Sequence, residues 1–93
     1  MKKVLIWLLL GTKGGYNRAR IIKFLHDMPS NANKLATELN LNYRTITHHL
    51  SVLDEMNVII SVGKKYGKVY MLSTEMEKNY GEFDKIWNNM GSN

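Results

Sequence analysis

Apolar positions along the chain recur with two spacings, and the first change from one to the other falls at Asn57. Up to Met56 the spacing is helical. After Lys2 and Lys3, Val4 to Leu10 form an unbroken run of seven apolar residues, which predicts a helix over residues 1–11 that is apolar all round and covered on more than one side. Thr12-Lys13-Gly14-Gly15 breaks it. Asn17 is placed to cap a second helix ending near Asp27 or Met28, with Ile21, Ile22, Leu25 and Met28 inward and Arg18, Arg20 and Lys23 on its surface. Pro29 stops it. Residues 30–56 then read as two helices joined by a tight turn. Leu35, Ala36 and Leu39 are the inner face of the first, with Asn31 or Ser30 as its N-cap. Asn40 suits a left-handed residue at its end, Leu41 fills the corner, and Asn42 is placed to accept from the amide of residue 44 or 45 at the start of the second.

From Asn57 the pattern is that of strands. Val58, Ile59, Ile60 and Val62 precede the turn Gly63-Lys64-Lys65-Tyr66-Gly67, and Val69 follows it, which predicts a β-hairpin over residues 57–72. Residues 73–90 return to helical spacing. Met76, Tyr80, Phe83, Trp87 and Met90 recur at intervals of four, three, four and three, behind a Thr74/Glu77 capping box. Such a seam is either core of its own chain or an interface. The three preceding helices and the hairpin already supply a core, so the seam and the apolar first helix are expected to pair with a second subunit through Leu5, Ile6, Trp7, Leu9, Met76, Tyr80, Phe83, Trp87 and Met90. The tail Gly91-Ser92-Asn93 is expected to fray.

The helix after the tight turn divides its labour. Tyr43, Ile46, Leu50 and Leu53 share one face with His49 at its edge, while Arg44, Thr47, His48 and Ser51 share the other, which reads as polar and free of acid. A helix needing only solubility would mix Glu and Lys there. These residue types instead suit phosphates and base edges, which predicts a recognition helix; the alternative is an ordinary helical hairpin of a small bundle. The hairpin tip is basic as well, with Lys64, Lys65 and Lys68 and no acid among them. Its lysines would serve a DNA-contacting wing, or merely protect a strand edge from aggregation.

Composition narrows the field. Ninety-three residues make one domain, and the 44% hydrophobic fraction is enough for a packed core. With no cysteine there is no disulfide, thiolate metal site or cysteine nucleophile. The net charge of +5 is uneven: residues 1–50 carry eight basic residues against two acids, residues 51–93 five against six. The basic excess lies with the paired helices and points to a polyanionic partner. Lys2 and Lys3 before an apolar run also open a signal peptide, but no small-x-small cleavage site follows and the run is too short to span a bilayer, so a cytoplasmic protein without membrane attachment is expected. Catalysis is not expected, because no carboxylate pair or His-based triad is set out by a motif. His48 and His49 point about 100° apart on a helix, and His26 lies on another, so no metal or other cofactor is expected.

Leu35-Ala36, Asn40-Leu41-Asn42, Thr45-Ile46-Thr47-His48-His49-Leu50 and Leu53, followed by Val58-Ile59 and the Gly63-to-Gly67 wing, resemble winged helix-turn-helix regulators of the ArsR-like class. The likeness extends over residues 2–72 and is greatest to small archaeal members that open with a helix and a Gly-Thr-Lys-Gly-Gly turn. It implies a mainly α fold with a β-hairpin wing, a single domain over residues 1–93, and terminal helices (residues 1–11 and 73–90) forming a dimer interface. It implies DNA contacts by Asn42, Tyr43, Arg44, Thr45, Thr47, His48 and Ser51 in the major groove, and by Lys64, Lys65, Tyr66 and Lys68 on the wing. Ser30, Asn31, Lys34 and His49 would position the DNA backbone. Metal-sensing members place cysteines on the recognition helix or His and carboxylate ligands on the last helix, whereas this chain has no Cys and no His there. The expected function is a sequence-specific, double-stranded DNA-binding transcription regulator acting as a homodimeric repressor. The alternative is a winged-helix module for protein contact.

Overall fold

The computed structural model describes residues 1–90, apart from the side chain of Tyr66. The expected fraying of residues 91–93 lies outside the described residues. Helices α1 (Lys2–Leu10), α2 (Gly15–Asp27), α3 (Ala32–Leu39) and α4 (Tyr43–Glu55) come first. Strands β1 (Ile59–Val62) and β2 (Val69–Leu72) follow, joined through a 3-10 turn at Lys65–Gly67, and then helices α5 (Thr74–Lys78) and α6 (Tyr80–Met90). The strands pair antiparallel, with Ile59 opposite Leu72 and Ser61 opposite Tyr70. Ser30 adds a single antiparallel bridge to the other edge of β2: its N–H donates to the Tyr70 carbonyl at 3.1 Å, and its carbonyl accepts the Tyr70 N–H in return at 2.8 Å. The entry to α3 is thereby tied to the hairpin.

Asparagines set the boundaries of the helix pair. The Asn31 side chain accepts the Lys34 N–H at 2.8 Å, and Asn42 accepts the Arg44 N–H at 2.7 Å. Asn40 adopts φ 54°, and the Leu41 N–H reaches back to the Ala36 carbonyl at 2.9 Å, which closes α3 in a Schellman turn. Asn57, at φ 60°, ends α4 in the same way, with the Val58 N–H on the Leu53 carbonyl at 3.0 Å. Val58 and Leu53 are both fully buried, so this cap also directs the chain from α4 into β1.

The core draws on every helix and both strands: Leu5 and Leu8 from α1, Ile21 and Ile22 from α2, Leu35, Ile46, Leu50 and Leu53 from the helix pair, Ile59 and Leu72 from the strands, and Met76 and Phe83 from α5 and α6. α1 buries one face within its own chain, through Leu5, Leu8 and Leu9, and leaves Ile6, Trp7 and Leu10 exposed. Several expectations are corrected. α2 starts two residues before Asn17, after Gly14 in a left-handed conformation (φ 83°), and Asn17 instead accepts from Arg20 at 3.1 Å. Gly15 is needed at this start, since a Cβ there would collide with the Leu9 carbonyl. Met28 falls beyond the helix and is exposed, while Arg18 is buried, its guanidinium donating to the Leu8 carbonyl of α1 and to the Thr12 hydroxyl of the turn that follows. The last helix is broken at Asn79 and capped one residue earlier than Thr74 implied: the Ser73 hydroxyl accepts the Met76 N–H at 3.0 Å. Glu77 meets His26 of α2 at 2.8 Å instead of closing a capping box.

Candidate nucleic-acid interface

α4 turns Ile46, His49, Leu50 and Leu53 inward and leaves Tyr43, Arg44, His48 and Ser51 exposed, with Thr45 and Thr47 half-buried. The Thr47 hydroxyl donates to the Arg44 carbonyl at 3.0 Å, which leaves its oxygen able to accept from outside. Arg44 stands in the first turn beside the capping Asn42, also exposed. Arg20 reaches from α2 to the Leu39 carbonyl at 2.7 Å and so holds the end of α3, just before the tight turn.

The hairpin brings its basic tip alongside. Gly63 takes φ 100°, where a Cβ would lie 2.6 Å from the Gly67 carbonyl oxygen, so the tip closes tightly only with glycine. Lys64, Lys65 and Lys68 are exposed; the side chain of Tyr66, also expected on the wing, lies outside the described residues. A cleft of about 250 Å³ runs between α4 and the wing, lined by Thr47, Leu50, Ser51, Asp54, Ser61, Lys68 and Tyr70. A second hollow continues it to the start of α3, where Asn31 and Asn33 meet Tyr43, Lys65, Lys68 and Tyr70. The structure therefore joins Asn31, Tyr43, Thr47, Ser51, Lys65 and Lys68 in one surface, with Arg44 and His48 exposed on the same helix. Lys34 is exposed one turn into α3 but lines neither hollow.

Tyr70, Asn33, Ser61 and Asp54 belong to this surface although the sequence reading missed them. Tyr70 and Ser61 face each other across the hairpin, a pairing that strand register alone would have suggested. Burial, then Tyr43 and Asp54, push the Tyr70 phenol above its ordinary pKa, so it stays a hydroxyl donor. Asp54 corrects the view of an acid-free face: it lies seven residues after Thr47 and three after Ser51, two helical neighbours on the same side, and lines the same cleft.

Two backbone-positioning assignments are also corrected. Ser30 is buried, its main chain spent on Tyr70 and its hydroxyl donating to the Met28 carbonyl at 3.4 Å. His49 is buried and its Nδ1 accepts from Arg18 Nε at 3.3 Å, which removes it from any ligand-facing surface. Its pKa is held below the usual histidine value by burial, then by the charge of Arg18 and by His48.

α1 exposes Ile6, Trp7 and Leu10, and where it meets α6 there is a cleft of about 420 Å³ lined by Leu10, Tyr16, Ile86, Asn89 and Met90. Trp87 is half-buried, stacked between Tyr16 and Phe83 at ring-centroid distances of 5.9 and 6.2 Å. Tyr80, also half-buried, stacks on His26 at 3.6 Å. Leu5, Leu9, Met76 and Phe83, expected at an interface, are core of their own chain, because the inner sides of α1 and the last two helices close over α2. Among the described residues, no three His, Asp or Glu side chains converge to hold a metal ion, and no helix is long and apolar enough to cross a membrane.

Residues 16–61, from α2 into β1, match the family model described as bacterial regulatory protein, arsR family. The chain has the winged helix-turn-helix fold. HlyU from Vibrio cholerae is similar in structure at a TM-score of 0.69 and 19% identity, over 92% of this chain and 91% of that one. The transcriptional regulator BldR from Sulfolobus solfataricus superposes at a TM-score of 0.74 and 13% identity, over 96% and 65%. Wild-type ZitR from Lactococcus lactis gives 0.65 and 23%, over 83% and 55%, so this chain spans about half the length of ZitR. No curated protein matches the chain in sequence.

Proposed function

We propose that the protein is a sequence-specific regulator that binds double-stranded DNA as a homodimer and represses by occupying a promoter in the cytoplasm. The first three turns of α4 would enter the major groove, with Arg44 able to pair bidentately with guanine and Thr47, His48 and Ser51 following along the groove. Lys64, Lys65 and Lys68 would meet flanking phosphates, with Asn31, Asn33, Tyr43 and Tyr70 completing the surface between. The observation carrying this reading is the continuous polar cleft that joins α4, the wing and the start of α3. The exposed apolar side chains of α1 supply the surface for the second subunit, and two-fold pairing would match a palindromic site.

Protein contact is favoured by one feature, the exposure of Ile60, Val62 and Val69 on the hairpin, which gives the wing an apolar side. Selection of bound fragments from random DNA decides between the two readings. Recovery of a palindromic motif is expected, and failure to enrich any motif at low salt would transfer the surface to a protein partner.

A further inference from the structure

Arg18 is only 6% exposed, yet the groups it hydrogen-bonds are uncharged, and the ion pairs among the described residues join His26 to Glu77 and Lys85 to Glu82 instead. Its Nη1 donates to the Leu8 carbonyl at 3.1 Å and to the Thr12 hydroxyl at 2.7 Å. Leu8 lies in the last turn of α1, where carbonyls lack helical partners and the helix dipole is negative, and α1 has no basic residue of its own there. Arg18 of α2 supplies that missing charge. From the same guanidinium, Nε donates at 3.3 Å to Nδ1 of His49 on α4.

The second contact is specific about proton position. An arginine only donates, so Nδ1 must be bare and the imidazole neutral with its proton on Nε2. The ring is boxed in: a Cβ on Gly14 would lie 2.7 Å from its Cε1, so the left-handed glycine of the turn also makes room for the imidazole. The charged or titratable groups facing His49 are Arg18 from α2 and His48 from its own helix, both of which oppose a positive charge on the ring.

We propose that Arg18 is a positioning residue for DNA reading: one guanidinium caps the end of α1 and, through His49, fixes the roll of the recognition helix relative to the N-terminal helix. This rests on the DNA-binding function proposed above. The apolar contacts of Ile46, Leu50 and Leu53 hold α4 against the core but are non-directional, whereas hydrogen bonds to an imidazole are sensitive to rotation. His49 precedes Leu50 on the inner face and directly follows the exposed His48, so a change of roll at His49 displaces His48, Arg44 and Ser51 together. Because the other end of the connection is α1, which carries exposed Ile6, Trp7 and Leu10, covering that helix and aiming the reading head become linked events.

The test uses Arg18→Met, which keeps length and removes charge and donors, and Arg18→Lys, which keeps charge but lacks the fork and guards against a failure of the first variant to fold. Imidazole nitrogen NMR on the full chain should show His49 as the Nε2–H tautomer in the wild type. In either folded variant that preference should relax, and in Arg18→Met the His49 titration should move up towards the usual histidine value. In competition binding at a temperature where each protein is fully folded, the variants should lose about tenfold on the selected DNA, the scale of one buried polar contact, and keep their affinity for random DNA. His49→Asn, which retains an acceptor near Nδ1, should rescue most of the wild-type preference for the selected DNA. An unchanged tautomer in the variants, or parallel losses on both DNAs, would overturn the positioning role alone. A wild type that selects no DNA would overturn the DNA reading, and the positioning role with it, even if the tautomer result held.

Discussion

The face formed by α4 and the wing exposes Arg44, His48, Ser51 and three lysines, while the face formed by α1 and α6 exposes Ile6, Trp7 and Leu10 beside the cleft at Tyr16 and Met90. Both rest on the same core, yet they stand differently towards water. The first loses nothing by remaining solvated and gains charge-assisted contacts when a polyanion arrives. The second leaves large apolar groups exposed, each able to contribute about 1.5–3 kcal/mol if fully covered. Polar exposure marks a surface that works by exchange of counterions and hydrogen bonds; clustered apolar exposure marks one suited to a permanent cover.

The sharpest way to break the contrast is Trp7→Glu. Trp7 is half exposed, so a charge there spares the chain's own core but would cost several kcal/mol in a dimer seam if left unpaired. Sedimentation equilibrium should show dimer for the wild type at tens of micromolar and monomer for the variant, with most of the affinity for a palindromic site lost. Trp87→Glu would be ambiguous, because Trp87 stacks on Phe83 of the core. Next in size is Arg44→Ala, expected to cost about 1–3 kcal/mol on the selected DNA and much less on random DNA. Even losses would make Arg44 a phosphate contact. Replacing Lys64, Lys65 and Lys68 together by Ala should flatten the salt dependence by about one unit of slope per lost phosphate contact while sequence preference survives. An unaltered slope would take the hairpin off the DNA.

Smaller effects sharpen the polar face. Asp54 lines the cleft with Lys68 and should repel phosphates, so Asp54→Asn should tighten binding to every DNA by less than about 1 kcal/mol, with the gain fading as salt rises. A loss confined to sites with one particular cytosine would instead make Asp54 a base reader. The last effect is read in stability. The His49 pKa is lowered in the folded chain, so below about 6.5 the unfolded chain binds the proton more readily and folding weakens. Its contribution is whole above that pH and is lost as pH falls towards the lowered folded value. Thermal melting should show a decline between pH 7.5 and 5.5 that is smaller in His49→Asn.

Local chemistry was the most legible part of the fold. Asn31, Asn40 and Asn42 cap as their positions implied, because a cap involves only the next few residues and needs no tertiary partner. The change of apolar spacing at Asn57 likewise marks where α4 gives way to the hairpin. Residues whose role depends on what packs over them were misread. Arg18 and His49 look like surface groups until the Thr12-to-Gly14 turn and α1 close around them, and Ser30 looks like a free cap until β2 pairs with it. The heptad-like seam of residues 76–90 hides the break at Asn79, whose side chain donates to the Glu75 carbonyl at 2.9 Å, a local alternative that periodicity does not register. On the candidate site, helix spacing located Arg44, Thr47, His48 and Ser51, whereas Tyr70 and Ser61 required the register of the hairpin.

The placement of the two tryptophans has an optical consequence. Trp7 and Trp87 both belong to the terminal helices, and neither lines the hollows between α4 and the wing. Intrinsic emission therefore reports from one side of the molecule. Trp7, half in water, should shift to the blue when a second chain covers α1, while Trp87 is already enclosed by Tyr16 and Phe83 and should change little. Added nucleic acid would be dark to both unless it altered pairing of the subunits. The chain thus carries a built-in fluorophore for assembly, and a chromophore for DNA contact would have to come from tyrosines, those at positions 43 and 70 among them.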